Sequence, residues 1–244
     1  MTSARNPPAT RRAVVIGALG GIGAATVARL AHDGWHTVTL DRPQANANGP
    51  PAAILVDLAD PASIALAFKE VAAQVAADGL IDLLAVCSGI VDSEKVATVS
   101  LAHWHNMLAT NLTGPFLCCQ HSYPLLRDGG RIVLLGSLAG RTGGVLTGAA
   151  YAATKGGLES LAKSMAQELA ARRITVNVVA PGIIDTPMLL AHSEERKQGM
   201  AQSTPLKRLG QAEEIAGAIA YLASADAAYT TGTVLHVNGG IRMD

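Results

Sequence analysis

Seven short runs rich in valine, isoleucine and leucine, at residues 13–17, 36–41, 53–58, 83–88, 131–137, 175–180 and 234–237, alternate with longer alanine-rich stretches. Most of the runs lack a polar residue at every second position. That pattern belongs to strands covered on both faces by helices, the environment of a parallel sheet. The intervening stretches have helical period and predict helices at 21–32, 61–77, 101–126, 152–171 and 213–223. Glycine or aspartate marks most joins, as at Asp33-Gly34 and Asp128-Gly129-Gly130. Strand and helix alternate without a long linker or an internal repeat. The expectation is an α/β fold: one doubly wound, seven-stranded parallel sheet in a single domain, residues 11–244. Residues 1–10 read as a disordered tail, and 188–209 as an insertion that covers whatever binds nearby.

The first run leads into "VVIGALGGIGAAT", where Gly17, Gly21 and Gly23 stand between a strand and a helix. Such glycines allow a tight turn and let a pyrophosphate approach N–H groups at a helix N-terminus, where the helix dipole favours anions. With Ile22 they form a candidate dinucleotide loop of Rossmann type. Asp41 ends the second run, eighteen residues beyond Gly23. A carboxylate there accepts bonds from an adenosine ribose and repels a 2′-phosphate, so NAD is favoured over NADP. Arg42 bears on that choice in two ways: it is a solvent-facing loop residue, or a guanidinium able to pair with a phosphate. Asp57, with Leu58, is placed to meet an adenine edge; the alternative for Asp57 is a cap for the helix starting at 61.

The stretch "AAYAATKGG" carries Tyr151 and Lys155, four residues apart on one helical face, among alanines and glycines. A phenol with a pKa near 10 is a poor base at neutral pH, and an adjacent cation favours its ionised form. Ser137 ends the fifth run, at the carboxyl edge where ligands of open α/β sheets bind.

These residues, with "NLTGPF" at 111–116 and "APGIIDTPM" at 180–188, resemble the short-chain dehydrogenase/reductase family. The similarity runs from about residue 11 to 240. Within the family the chain is similar to the branch of 3-oxoacyl-[acyl-carrier-protein] reductases and of alcohol, sugar and diol dehydrogenases. The resemblance implies hydride transfer between a nicotinamide cofactor and a secondary alcohol or ketone. It gives Ser137 the substrate oxygen and Tyr151 the general acid/base role. Lys155 would bind the nicotinamide ribose and lower the Tyr151 pKa, and Asn111 would support a water-linked proton path ending at Lys155. Gly89, Pro181, Gly182, Ile184 and Thr186 join Tyr151 and Lys155 in holding the cofactor. A homotetramer is implied through 101–126, 152–171 and 232–244. A catalytically inactive nucleotide-binding sensor with this fold is the alternative.

Lysine plus arginine and aspartate plus glutamate balance at nineteen each. No basic footprint for nucleic acid or for a membrane surface is present, and the expectation is a soluble, cytoplasmic protein. Cys87, Cys118 and Cys119 have no metal-site spacing, and His103 and His105 fall on different helical faces, so no metal is expected. An acyl-carrier-protein partner would need a basic rim; Arg141, Arg196, Lys197, Lys207 and Arg208 are its candidates, diluted by Glu194 and Glu195. Substrate contacts are expected from 90–94, 138–146 and 188–209.

Two positions depart from the family's pattern. Ile16 stands where a threonine or serine usually precedes the first glycine, and Val86-Cys87-Ser88-Gly89 replaces Asn-Asn-Ala-Gly. The expectation is that a buried hydrogen-bond cluster has been exchanged on both sides for apolar packing.

Overall fold

A buried apolar run satisfies its backbone only by pairing with neighbours, and all seven runs do so in one sheet. The computed structural model describes residues 11–42, 54–75, 79–144, 147–189 and 193–243. Its strands are β1 (Arg12–Ile16), β2 (His36–Asp41), β3 (Ile54–Leu55), β4 (Ile81–Val86), β5 (Leu126–Leu135), β6 (Thr175–Pro181), β7 (Ile184–Asp185), β8 (Gly210–Gln211) and β9 (Val234–Val237). Seven pair in parallel in the order β3-β2-β1-β4-β5-β6-β9, while β7 and β8 pair apart. The helices are α1 (Gly21–His32), α2 (Pro61–Gln74), α3 (Leu101–Leu108), α4 (Gly114–Ser122), α5 (Ala139–Thr142), α6 (Ala149–Glu168), α7 (Glu194–Ser203) and α8 (Ala212–Ala223). No helix among the described residues is long and apolar enough to cross a membrane.

Alternate strand residues feed two apolar layers. Val14, Ile16, Leu84, Val86, Leu134 and Val178 pack with Phe68 and Val71 of α2, Cys118 and Cys119 of α4, and Leu158 and Ala162 of α6. Ala13, Val15, Leu83, Ala85, Val133 and Val179 pack with Leu30 of α1 and with Ile215, Ile219 and Leu222 of α8. From β1 the chain builds outward to β2 and β3, then returns to lay β4 on the other side of β1. The connections leaving β1 and β4 therefore diverge, opening a crevice at the carboxyl ends of the two strands.

Several boundaries differ from expectation. The helix expected over 101–126 is broken: a π turn at Ala109–Thr113 separates α3 from α4, and a 3₁₀ turn at Tyr123–Leu125 closes it. Leu126 already belongs to β5, pairing with Ile81, so the fifth strand starts five residues before 131. The third strand is only Ile54–Leu55, although Val56 N–H still donates to Asp41 O at 2.8 Å. Helix α6 starts at Ala149 rather than 152. Within 188–209, α7 starts behind Ser193, whose hydroxyl accepts the Arg196 N–H. The tail 1–10, and residues 43–53 and 190–192, lie outside the described residues.

Ile16 and Val86 are register partners on β1 and β4, each at most 2% exposed and both in the same apolar layer. The two departures from the family pattern thus meet across the sheet. An asparagine introduced at 86 alone would bury an amide among hydrocarbon, costing about 1–3 kcal/mol. Val86→Asn is expected to lower the melting temperature by roughly 3–10 °C for a chain of this size. Ile16→Thr added to it should recover part of the loss, because neighbouring sites couple. An unchanged or raised melting temperature for Val86→Asn would contradict the packing account.

Candidate active site

The turn after β1 is shaped by sterics. Gly17 has φ +80°, and a Cβ there would lie 2.8 Å from the Ser88 backbone. A Cβ on Gly23 would overlap the Gly17 carbonyl. The chain therefore enters α1 with its first N–H groups facing the crevice and no side chain capping them. Asp41, 6% exposed at the end of β2, fastens this loop: its carboxylate accepts the Leu19 N–H and the Arg42 N–H, both at 2.7 Å. Across the crevice the Thr186 side chain approaches Gly21, and a Cβ on that glycine would lie 2.9 Å from Thr186 Cγ2.

Ser137 follows β5, and its hydroxyl oxygen accepts the Ala139 N–H at 3.1 Å. The same hydroxyl lies close enough to the Tyr151 phenol to lower its pKa. One turn along α6, Lys155 is 3% exposed and donates from Nζ to Leu135 O at 2.8 Å. Its ammonium lies 5.6 Å from the Tyr151 ring centroid. Burial pushes the Lys155 pKa down to about 8, partly opposed by Cys87. The phenol is itself pushed above its ordinary 10 by burial, against a lowering from Ser137. In this arrangement burial outweighs the lowering expected from Lys155, whose nitrogen bonds the strand carbonyl instead.

Asn111 lies in the π turn and is wholly buried. Its side chain holds one backbone segment from both ends: Oδ1 accepts the Ile90 N–H at 2.9 Å, and Nδ2 donates to Ile90 O at 2.7 Å. A Cβ on Gly89 would sit 3.1 Å from Asn111 Oδ1 and 3.4 Å from Lys155 Nζ, so the amide and the ammonium flank the same glycine. An uninterrupted helix would aim the amide of residue 115 at the Asn111 carbonyl, but Pro115 has no N–H to donate.

A cavity of about 700 Å³ joins these parts. Gly17, Gly21, Ile22, Gly23, Asp41, Arg42, Gly89, Ser137, Tyr151, Lys155, Pro181, Gly182, Ile184 and Thr186 all line it. Asn111 stands behind the lining. Asp57 and Leu58 do not line the cavity: Asp57 Oδ1 accepts the Ala59 N–H at 2.9 Å, and Leu58 is buried in the apolar layer. Nor does Asp57 cap the following helix; that is Asp60, which accepts the Ala62 N–H. From the cover, Leu189, Arg196 and Met200 reach the lining, as do Asp92 and Ser93 of the 90–94 segment. Thr147 also lines it, just past the stretch 138–146 named from sequence. Cys87 lines the wall too, with its thiol pushed up to about 12 by burial and 4.0 Å from Thr26 Oγ1, a packing thiol rather than a reactive one. Among the described residues no cluster of histidine, cysteine or carboxylates could hold a metal.

Comparison with known proteins points to one family. A family model described as enoyl-(acyl carrier protein) reductase matches residues 17–242. The chain is 38% identical to the 3-oxoacyl-[acyl-carrier-protein] reductase FabG of Escherichia coli (strain K12), over 95% of this chain and 97% of that protein. Among solved structures, a blue fluorescent protein from a metagenomic library, in complex with NADPH, superposes with a TM-score of 0.87 at 34% identity, covering 96% of this chain and 98% of that one. The short-chain dehydrogenase/reductase SDR:Glucose/ribitol dehydrogenase from Brucella melitensis does so with a TM-score of 0.87 at 36% identity, covering 96% and 97%.

The buried ammonium has a thermodynamic consequence. Its folded pKa, about 8, lies below the 10.5 of an exposed lysine, so between these values the unfolded chain holds the proton and the folded one does not. The contribution of this lysine to stability therefore rises with pH across that window, by at most about 3 kcal/mol. Three thiols, their pKa values pushed up by burial, titrate with the opposite sign above pH 9, so the lysine is read by difference. In denaturant titrations at pH 8 and pH 10 the stability of the wild type relative to Lys155→Met should rise with pH, and a difference that stays constant would contradict the burial of the charge.

Proposed function

Since the chain belongs to the short-chain dehydrogenase/reductase family, we propose that it interconverts a secondary alcohol and a ketone with NAD(H), using Tyr151 as general acid and base. The observation that carries this reading is the Ser137–Tyr151–Lys155 constellation lining one cavity with the glycine loop. The glycine loop, packed too tightly against Ser88, Thr186 and its own turn to carry side chains, leaves bare backbone lining the cavity, which fits a nicotinamide dinucleotide. Gly17, Gly21, Ile22 and Gly23 would hold its pyrophosphate, Asp41 its adenosine ribose, Tyr151 and Lys155 the second ribose, and Pro181, Gly182, Ile184 and Thr186 the nicotinamide. When bound, it supplies the hydride donor or acceptor.

The protein's own residues manage the proton. Ser137 holds the substrate oxygen beside the phenol. Tyr151 gives its proton to that oxygen in reduction and takes one in oxidation. The Lys155 ammonium, 5.6 Å from the ring centroid, stabilises the phenolate that reduction leaves behind. Asn111 positions Gly89 and Ile90 against the cavity, and its backbone carbonyl, which Pro115 cannot bond, would accept from a water in the relay.

Two features support NAD(H). The Asp41 carboxylate lines the cavity at the end of β2 and would repel a 2′-phosphate, and the loop from Gly17 to Gly23 contains no cation. A second reading, NADP(H), is favoured by the NADPH complex of the 34% identical blue fluorescent protein and by Arg42 in the lining. On substrate, the name of the E. coli relative favours a 3-oxoacyl thioester. Against a carrier-protein rim, Arg141 is paired with Glu159, Lys197 with Glu194 and Arg208 with Glu214, while Lys207 bonds the Gln202 carbonyl. With three of the five candidate cations offset by carboxylates, the rim supports a small free alcohol or ketone. Assembly as a homotetramer is part of the same reading; the exposed side chains of Leu101 on α3 and Phe116 on α4 give those helices apolar surface to bury.

Tyr151→Phe is expected to retain dinucleotide binding and lose at least about 100-fold in kcat. Turnover like that of the wild type would refute the assigned role and favour a nucleotide-binding sensor. Titration with NADH and NADPH should show NADH bound at least about tenfold more tightly, a preference that Asp41→Ser reduces. A wild type that binds NADPH more tightly would favour the second reading.

A further inference from the structure

Ser137 belongs to a turn that apolar packing anchors only weakly. Helix α5, which follows it, is a single turn of four residues, far below the ~12–15 at which a helix begins to hold itself in water. Of those four, Ala139 is the buried one and Gly140 has no side chain, so little hydrocarbon fixes the turn. On the sheet side the Leu138 N–H donates to Pro181 O at 2.9 Å. On the other side the backbone of α5 lies directly on α6: a Cβ on Gly140 would meet the Gly156 nitrogen and the Lys155 carbonyl carbon at 2.9 Å. Arg141 supplies the remaining hold. Its guanidinium pairs with the Glu159 carboxylate, whose side chain is 5% exposed, and Arg242 Nη1 donates to the Arg141 backbone carbonyl at 3.0 Å.

Glu159 is the third member of a stripe. Tyr151, Lys155 and Glu159 stand four residues apart on α6 and share one face. The ion pair therefore fastens α5 to α6 one turn beyond the lysine and two beyond the phenol. With the contact at Gly156 alone, so short a helix can pivot on α6; a second contact one turn away removes that freedom. Arg141 is four residues beyond Ser137, and the Gly140 N–H donates to the Ser137 carbonyl at 3.1 Å, so any displacement of α5 is passed to the serine. The energetics agree. Withdrawing a carboxylate from water is costly, and Glu159 Oε1 is buried without a partner, so the pair is a poor source of stability. What it supplies is position.

Resting on the alcohol–ketone reading above, we propose that Arg141 and Glu159 are positioning residues for the reaction: their ion pair keeps the Ser137 hydroxyl in register with the Tyr151 phenol. Neither residue lines the cavity, so they act through Ser137 and not on the substrate. The opposite signs of two effects separate this role from a structural one. A pair that merely stabilised the fold would, when removed, lower the melting temperature and leave the folded molecules fully active. A positioning pair leaves stability and dinucleotide binding in place and slows the chemical step.

The test replaces both partners at once, Arg141→Met with Glu159→Leu, so that no charge is left buried and alone. The melting temperature should hold or rise, because a buried pair exchanged for apolar side chains of similar volume is often neutral or stabilising. Dinucleotide affinity, from fluorescence titration, should be unchanged. With an alcohol or ketone substrate, kcat should fall by on the order of 10- to 100-fold, the scale of a misplacement near 1 Å. A second readout needs no turnover. Ser137 lowers the Tyr151 pKa, so loosening the serine should move the tyrosinate midpoint of the free protein upward, measured against Tyr151→Phe in the same background. Glu159→Gln, which keeps the shape but weakens the pairing, should show a smaller loss of kcat, and decides the matter if the double variant does not fold. A folded variant with wild-type kcat overturns the inference and leaves the redox reading intact. A wild type that turns over no alcohol or ketone overturns that reading, and the tyrosinate midpoint of the double variant then decides the positioning alone.

Discussion

The ammonium of Lys155 is withdrawn almost entirely from water and bonded to the carbonyl at the end of a central strand, 2.8 Å away. A buried cation is costly unless its surroundings supply partners. This one has the Leu135 carbonyl, the face of the Tyr151 ring and the Asn111 amide close by across Gly89. Each of these comes from a different element: β5, α6 and the π turn between α3 and α4. The lysine thus ties the long helix bearing the phenol to the carboxyl edge of the sheet, and the geometry of the site follows from where that edge lies.

The sheet order places the edge. Because the chain reverses direction of build between β1 and β4, the loops after these strands part, and the glycine turn and the 87–93 segment form two walls of one crevice. Strands β5 and β6 add Ser137 and the 181–186 segment to the opposite side. Beneath the crevice the packing is hydrocarbon: Ile16 against Val86, with Cys87 turned to the other layer beside Thr26. Within the crevice the polar residues are sparse and each has a distinct task. Asp41 fastens the loop, Asn111 clamps Ile90, and Ser137 meets the phenol.

Strand positions were legible because parallel strands buried on both faces read as unbroken apolar runs, and the motifs around Gly17, Ser137, Tyr151 and Pro181 sit at their ends. What escaped notice has identifiable physical causes. Leucine at 126 suits a helix as well as a strand, so the true start of β5 was hidden in an apolar stretch. The break at Ala109–Thr113 had a cue in Pro115, whose missing N–H spoils the bond back to Asn111, but a proline near a helix start is tolerated too easily to betray a π turn. Asp57 and Asp60 compete for one cap, and spacing alone does not choose between them. The direction of the Tyr151 shift depends on burial, which one turn of alanines does not reveal.

The central claim is that Tyr151 is a protein-buried acid whose pKa, raised by burial, is brought down when a positive charge is placed beside it. Spectrophotometric titration of tyrosinate, wild type minus Tyr151→Phe, measures that pKa directly. In the free protein the difference signal should ionise above pH 10. With oxidised dinucleotide present, its midpoint should fall below the free-protein value, because the positive nicotinamide ring favours phenolate. A midpoint that does not move on saturation with the oxidised dinucleotide would contradict the account.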